Sequence, residues 1–150
     1  MKYLKSDQEI FWETEFGNKY VKRNIKSDRV FTIGKNLLSN KVFINEALEL
    51  GANVGLNLDA IKRVYPKIKT YGVEINKLAF NIGKKKHKFY NKPILRFNTK
   101  KKYDLVYTVG VLIHQNPNQL NAFYNKLYSL SKKYIYISEY FNPTPITENY

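Results

Sequence analysis

The sequence predicts an α/β fold: a Rossmann-like, mostly parallel sheet of about five strands, preceded by an α-helical N-terminal cap. From about residue 42 onwards, short apolar runs alternate with segments of helical spacing, whereas residues 1–41 show helical spacing alone. Strands that alternate with helices form a parallel sheet covered on both faces. At 150 residues with 43% hydrophobic residues, the chain is expected to form one domain, with 1–41 as the cap and 42–150 as the sheet.

The N-terminal cap is predicted from two amphipathic stretches. Residues 8–24 carry apolar side chains at helical spacing and indicate one or two short helices interrupted at Gly17. Ser27 and Asp28 are suited to be the N-cap of a second stretch that continues through Leu38. The cap is therefore expected to be helical throughout.

The sheet is predicted from apolar runs that are each short enough to be a buried strand. These runs lie at 47–51, 69–75, 93–97, 104–109 and 134–138. Helical segments are expected at 57–65, from an N-cap at Asn76 to about residue 86, and at 118–131. The lysine runs at 84–88 and 100–102 indicate a solvated helix end and a loop.

The net charge of +14 can be interpreted in two ways. A basic surface can hold nucleic acid through phosphate contacts. The charge, however, comes from 22 lysines and only 4 arginines, beside 17 asparagines, and codons rich in A and T favour lysine and asparagine together. Specific phosphate recognition usually draws on the arginine fork. We therefore expect scattered lysines rather than one basic groove, and we do not expect a nucleic-acid partner.

Composition also limits the location and the chemistry of the protein. The chain has no cysteine, which excludes disulfides and thiolate metal ligands and fits a cytoplasmic location. It has no apolar run long enough for a signal peptide near Met1 and none of eighteen residues anywhere, so no membrane insertion is expected. The two histidines lack the spacing of metal ligands, and no metal site is predicted.

The first two strands end in residues suited to hold an adenosine-containing ligand. Glu49-x-Gly51-x-Asn53-x-Gly55 follows the first strand, and its glycines allow a tight turn and a close backbone approach to a ligand. The same pattern suits an ordinary tight β–α turn, and it is not the Gly-x-Gly-x-x-Gly of dinucleotide-binding proteins. Glu74, at the tip of the second strand, is suited to accept hydrogen bonds from both ribose hydroxyls. Together they favour S-adenosyl-L-methionine, which carries no phosphate.

The later strands supply further candidate residues. Asn98, after the third predicted strand, is expected to pair with the adenine edge, whereas Phe97 either stacks on adenine or belongs to the core. His114, after the fourth strand, has the pKa range of a general base, but a histidine before an Asn-Pro turn is as often a structural hydrogen-bonding residue. Tyr20 and Glu139 are the next candidates for the base.

These motifs resemble class I S-adenosylmethionine-dependent methyltransferases, and within them the pseudaminic acid biosynthesis-associated methyltransferase family. The likeness runs over nearly the whole chain and rests on residues 16–24, 48–57, 72–76, 110–117 and 139–145. It implies that Glu49, Gly51, Asn53 and Gly55 form the cofactor loop and that Glu74 holds the ribose. From their positions at the strand ends, Ile75, Asn98 and Gly110 are also expected to bind the cofactor. The resemblance further implies methyl transfer to an oxygen or nitrogen nucleophile of a small molecule or sugar, in nonulosonic (pseudaminic) acid or surface-glycan biosynthesis.

The chain departs from that family at its C-terminus. Members usually continue past the Asn-Pro-Thr-Pro segment through the last two strands of a seven-stranded sheet, whereas this sequence stops at Tyr150. The fifth strand is then expected to be an unprotected edge, and the chain either forms a homo-oligomer through it or covers it with the N-terminal segment or with residues 141–150. Two alternatives stay open: a non-catalytic cofactor-binding or assembly module derived from a methyltransferase, and a nucleic-acid methyltransferase, which the charge favours.

Overall fold

The computed structural model describes residues 4–25 and 32–141, in which five strands and six α-helices are formed. The strands are β1 (Glu46–Leu50), β2 (Lys69–Glu74), β3 (Lys88–Asn91), β4 (Tyr103–Val109) and β5 (Ser131–Ser138). The helices are α1 (Asp7–Glu13), α2 (Glu15–Arg23), α3 (Thr32–Ser39), α4 (Leu56–Val64), α5 (Lys77–Gly83) and α6 (Leu120–Leu130). Short 3₁₀ turns at Ile94–Arg96, Leu112–His114 and Pro117–Gln119 complete the description.

The strands form one all-parallel sheet in the order β3-β2-β1-β4-β5. The chain builds outwards from β1 to β3 and then returns to place β4 on the other side of β1. The connections after β1 and after β4 therefore diverge and leave a crevice at the carboxyl ends of these two strands, where open α/β sheets bind ligands. The predicted Rossmann-like sheet of five strands is confirmed.

The sheet is buried on both faces because its inner strands carry apolar side chains at successive positions. On one face, Ala47 is covered by Leu37 of α3 and Ile61 of α4. On the other face, Leu48 packs in one cluster with Leu127 of α6. Complete burial of a leucine or isoleucine side chain contributes about 1.5–3 kcal/mol. Both helical layers therefore stabilise the sheet and fix the positions of its strand ends.

The prediction of a third strand at 93–97 is wrong. Strand β3 lies at Lys88–Asn91, and a 3₁₀ turn follows Pro93. Helix α5 ends at Gly83 rather than near residue 86, which frees the following segment to pair with β2. Phe89 anchors the strand, and its ring lies so close to Gly83 that an added Cβ there would come within 2.4 Å of it. Because four lysines lie among the five residues before Phe89, the hydrophobic pattern does not reveal a strand at this position.

The N-terminal helices are separated at Thr14 rather than at the predicted Gly17. Thr14 leaves the helical conformation, with φ −105° and ψ −140°. Gly17 lies inside α2 and faces Asn76, so closely that an added Cβ would come within 2.8 Å of the amide nitrogen of that side chain. Gly17 therefore permits close packing rather than a break. The N-cap predicted at 27–28 lies outside the described residues.

Asn76 joins the N-terminal helices to the sheet. Its Oδ1 accepts a hydrogen bond from the Ala79 amide at 3.0 Å, which confirms the predicted N-cap of α5. Its Nδ2 donates to the Trp12 carbonyl at 3.1 Å and to Asn18 Oδ1 at 3.0 Å. One buried amide thus fixes both α1 and α2 over the carboxyl edge of the sheet. Within residues 4–25 and 32–141, no helix has the length and hydropathy to cross a bilayer.

Candidate active site

A cavity of about 680 Å³ opens at the carboxyl ends of β1, β2 and β4. This volume lies in the range of small-molecule binding sites. The loops after these strands form one part of its wall, and α1 and α2 contribute another part that includes Trp12. The predicted site residues that line it are Tyr20, Glu49, Gly51, Asn53, Glu74, Ile75, Gly110, His114 and Glu139.

The loop between β1 and α4 is shaped by residues with positive φ. Gly51 (φ +78°), Asn53 (φ +47°) and Gly55 (φ +89°) all adopt the left-handed region, which favours glycine and, to a lesser degree, asparagine. The amides of Gly51 and Ala52 both donate to the Val73 carbonyl, at 2.9 and 3.0 Å, so the loop is tied to β2. Gly55 begins α4 and does not line the cavity. An added Cβ there would come within 2.9 Å of the His87 ring, so Gly55 serves packing.

Glu74 is buried at the tip of β2 and holds this loop against the next one. Its Oε2 accepts from the Asn53 amide and its Oε1 from the Asn76 amide, both at 2.7 Å. Burial raises the pKa of Glu74 above its ordinary value, although these backbone amides oppose the shift. Each carboxylate oxygen can accept a further hydrogen bond. Asn53 Oδ1 is also buried in the wall and has no hydrogen-bond donor among the described residues. Both side chains therefore have acceptor capacity left for a ligand hydroxyl or amine.

Glu49 is the most deeply buried acid of the site, with a relative exposure of 1%. Its Oε1 accepts from Asn57 Nδ2 at 2.7 Å and its Oε2 from the Tyr107 hydroxyl at 3.1 Å. Burial raises the pKa of Glu49, the two hydrogen bonds oppose the shift, and the nearby Glu74 adds a smaller increase, so that the pKa lies at about 8. The carboxyl is therefore mostly protonated at neutral pH in the ligand-free protein. A cationic ligand in contact with it would favour the ionised form.

Two of the three candidate bases lie together around Trp12. The His114 ring lies 4.9 Å from the Trp12 ring and the Tyr20 ring 5.3 Å from it, both in edge-on arrangements. Aromatic pairs of this geometry contribute about 0.5–1.5 kcal/mol beyond their buried area. Sequence reasoning missed Trp12, because helical spacing does not reveal that a side chain of the N-terminal helices faces a cavity formed by distant strands.

Glu139, the third candidate base, binds the backbone instead. Its Oε1 accepts from the amides of Val111 and Leu112, both at 3.1 Å, and its Oε2 approaches the Ile113 amide at 3.5 Å. These bonds hold the turn that carries His114. A carboxylate that is occupied by three backbone amides is suited to positioning this turn rather than to accepting a proton from a substrate.

Asn98 lies outside the cavity wall, because the strand expected to precede it is absent. Its Oδ1 accepts from Lys126 Nζ at 3.1 Å on the exposed surface. Phe97 belongs to the core, with a relative exposure of 4%, and therefore takes the second of its two expected roles. Pro93 and Ile94 line the cavity near the end of β3 instead. The position of Asn98 outside the cavity and the positions of Pro93 and Ile94 in its wall both follow from the corrected position of β3.

The order of the parallel strands and the cleft where the connections diverge are those of Rossmann-like folds, and solved structures that share this fold include class I methyltransferases. Structures with this fold include the plantazolicin methyltransferase BpumL in complex with SAH (20% identity, TM-score 0.66) and the magnesium protoporphyrin IX methyltransferase of Synechocystis with bound SAM (16%, 0.64). A third is an S-adenosylmethionine-dependent methyltransferase from Clostridium acetobutylicum (16%, 0.60). At these identities, the likeness establishes the fold.

The alignments cover most of this chain but less of its neighbours. They include 87% of this chain and 56% of the plantazolicin enzyme, 87% and 74% for the magnesium protoporphyrin IX enzyme, and 78% and 52% for the Clostridium enzyme. The chain thus spans little more than half the length of two of these relatives. No protein-family model and no curated protein sequence matches it.

Proposed function

We propose that the chain is an S-adenosylmethionine-dependent methyltransferase that acts on an oxygen or nitrogen nucleophile of a small molecule or sugar. The observation that carries the proposal is the pair Glu74 and Asn53, whose side chains keep acceptor capacity at the strand ends where this fold binds ligands. The fold is shared with proteins crystallised with SAM or SAH, which supports the choice of cofactor.

The wall of the cavity offers a contact for each part of that cofactor. Glu74 would accept the ribose hydroxyls, and Ile75 and Ile94 would cover the adenine as apolar walls. Gly110, with positive φ and room where a Cβ would lie, would let the backbone approach the remainder of the cofactor. Gly51 also has positive φ and lines the cavity, but it leaves room for Val111, which an added Cβ would approach within 2.6 Å. Glu49 lies in the same wall, where its ionised form would complement a positive charge.

The chemistry that S-adenosylmethionine supplies is an electrophilic methyl group on a sulfonium ion. The main contribution of the chain is to align the acceptor atom with that group, and alignment of this kind can lower a barrier by about 7–11 kcal/mol at best. His114 lies in the cavity wall and is our first candidate to accept the proton that the acceptor loses. Tyr20 packs edge-on against the same Trp12 ring and is the second candidate for the proton acceptor.

The acceptor class is a finer part of the proposal. The cavity combines flat aromatic walls with polar groups, as sites for small organic molecules do. The neighbours are named for plantazolicin and magnesium protoporphyrin IX, which differ widely, so the fold leaves the acceptor open. A sugar acceptor in nonulosonic acid or surface-glycan biosynthesis rests on the motif resemblance alone, whereas a cytoplasmic location rests on the composition.

Calorimetric titration with SAH tests the cofactor site without an acceptor. Glu74→Ala should weaken binding by about 1.5–3 kcal/mol, the range for hydrogen bonds to charged groups. Glu15→Gln removes an exposed carboxylate on α2 and serves as the control, which should bind as the original chain does. Unchanged affinity in Glu74→Ala would contradict the ribose assignment. Binding of SAH without methylation of any offered small-molecule acceptor would favour the non-catalytic alternative.

A further inference from the structure

A second hollow lies at the opposite edge of the sheet, where β2 and β3 begin. It has a volume of about 520 Å³, and its floor includes Thr70 and His87. Strand β2 runs from Lys69 at this hollow to Glu74 at the cavity. Six residues in a strand span roughly 20 Å. The hollow is therefore separate from the proposed methyltransferase site.

Six of the 22 lysines line this hollow, which makes it strongly basic. They come from the last turn of α4, the start of β2, the segment after α5 and the start of β3, and they are Lys62, Lys69, Lys84, Lys85, Lys86 and Lys88. The expectation that the lysines would be scattered is wrong for this group. Chain topology causes the clustering, because parallel pairing brings the beginnings of β2 and β3 side by side.

The positive charge of the hollow is largely uncompensated within the described residues. Among the described residues, its wall contains no acidic side chain. Two acids beside it are already paired. Asp59 binds Lys86 Nζ at 2.9 Å and lies 3.2 Å from His87 Nε2. Glu46, which is aligned with Lys69 in the neighbouring strand, binds Lys101 Nζ at 2.5 Å and Lys132 Nζ at 3.4 Å. Lys84 and Lys88 lie over the rings of Phe80 and Tyr71, at 5.0 and 5.9 Å, rather than beside a carboxylate. The partial negative charge at the C-termini of the neighbouring helices offsets only a part of the positive charge, because a cation near a helix C-terminus is stabilised by about 0.3–1 kcal/mol.

We propose that this hollow binds the sugar-phosphate backbone of a nucleic acid without reading its sequence. A row of phosphates can meet several ammonium groups at once, whereas a single small anion can meet few of them. Lysine is a flexible point charge rather than a bidentate fork, so it contributes affinity with little base specificity. The hollow lies away from the cavity, and a bound strand would therefore act as a partner or tether rather than as the methyl acceptor.

The test is fluorescence anisotropy with a labelled single-stranded oligouridine over a range of salt concentrations. The hollow variant is Lys84→Gln/Lys85→Gln/Lys88→Gln. The control variant, Lys22→Gln/Lys35→Gln/Lys102→Gln, changes three exposed lysines elsewhere and has the same net charge. The hollow variant should lose at least about tenfold in affinity, and its salt slope should fall by roughly 2, since each lost phosphate contact removes about 0.7. The control variant should change little.

Equal losses in the two variants would overturn the proposal, because they would assign binding to bulk charge. Competition by SAH would also overturn it and would place the strand in the cavity. Loss of binding to phosphatidylserine vesicles with unchanged RNA binding would assign the hollow to a membrane surface instead. The SAH affinity of each variant, measured in parallel, reports folding and tests the methyltransferase proposal separately.

Discussion

Glu49→Gln should make the ligand-free protein more resistant to rising pH. The folded-state pKa of about 8 lies well above the ordinary value of 4.5, so the folded protein retains a proton that the unfolded chain releases. The stability from this group is complete below pH 4.5 and is lost progressively as the pH rises to about 8. At about 1.36 kcal/mol per pKa unit, the loss is on the order of 4–5 kcal/mol. That is a large part of the 5–15 kcal/mol typical of small domains.

Glutamine suits this test because it reproduces the protonated acid. Its oxygen can accept from Asn57 and its amide can donate to the Tyr107 hydroxyl, so the two contacts of Glu49 persist without a titrating group. At pH 5.5, one unit above the ordinary pKa of 4.5, we expect the variant to be already about 1.4 kcal/mol more stable than the original chain. The variant should then gain up to about 1.4 kcal/mol for each pH unit towards pH 8.

Urea unfolding followed by circular dichroism at pH 5.5, 7 and 8.5 measures this difference. Glu15→Gln, on an exposed carboxylate that pairs with Lys19, is the control and should show no such trend over this range. Glu74 also has a raised pKa and remains in both proteins, so the test is the difference between them. If that difference does not change with pH, Glu49 is ionised in the folded chain and our account of its burial is refuted.

Three other outcomes are expected. Asn76→Ala should destabilise the chain by about 2–3 kcal/mol in urea, because a cap and two part-buried hydrogen bonds are lost. Asn76→Asp keeps the cap but turns a buried carboxylate oxygen towards the Trp12 carbonyl and Asn18 Oδ1, which are both acceptors, so it should cost at least as much. Glu139→Gln should speed hydrogen exchange at 111–113, since a neutral oxygen accepts more weakly than a carboxylate, and unchanged rates would contradict its positioning role. The exposed edge of β5 should cause self-association in sedimentation, with protected amides at 134–138, and a monomer with freely exchanging amides would refute this.

The parts of the site that could be predicted are those that local sequence encodes. Strand β1 reads as an apolar run because both faces of the sheet are covered, and the positions of Gly51 and Glu74 follow from where the strands end. Trp12 could not be placed in this way, since its position depends on the hydrogen bond from Asn76, which is 64 residues away. Asn98 was misplaced for a related reason. The third strand was predicted at 93–97 instead of at Lys88–Asn91, and the residue assigned to its carboxyl end was therefore the wrong one.

The net charge could not predict the distribution of charge, because that distribution depends on topology. In a parallel sheet, all strands begin at one edge and end at the other. Glu74 ends β2 and Glu49 is the penultimate residue of β1, both at the cavity, whereas Lys69 and Lys88 begin their strands at the basic hollow. The proposed cofactor cavity and the basic hollow therefore differ in charge, whereas Glu46 and Asp104 offset Lys101, Lys132 and Lys133 along the rest of the edge where the strands begin.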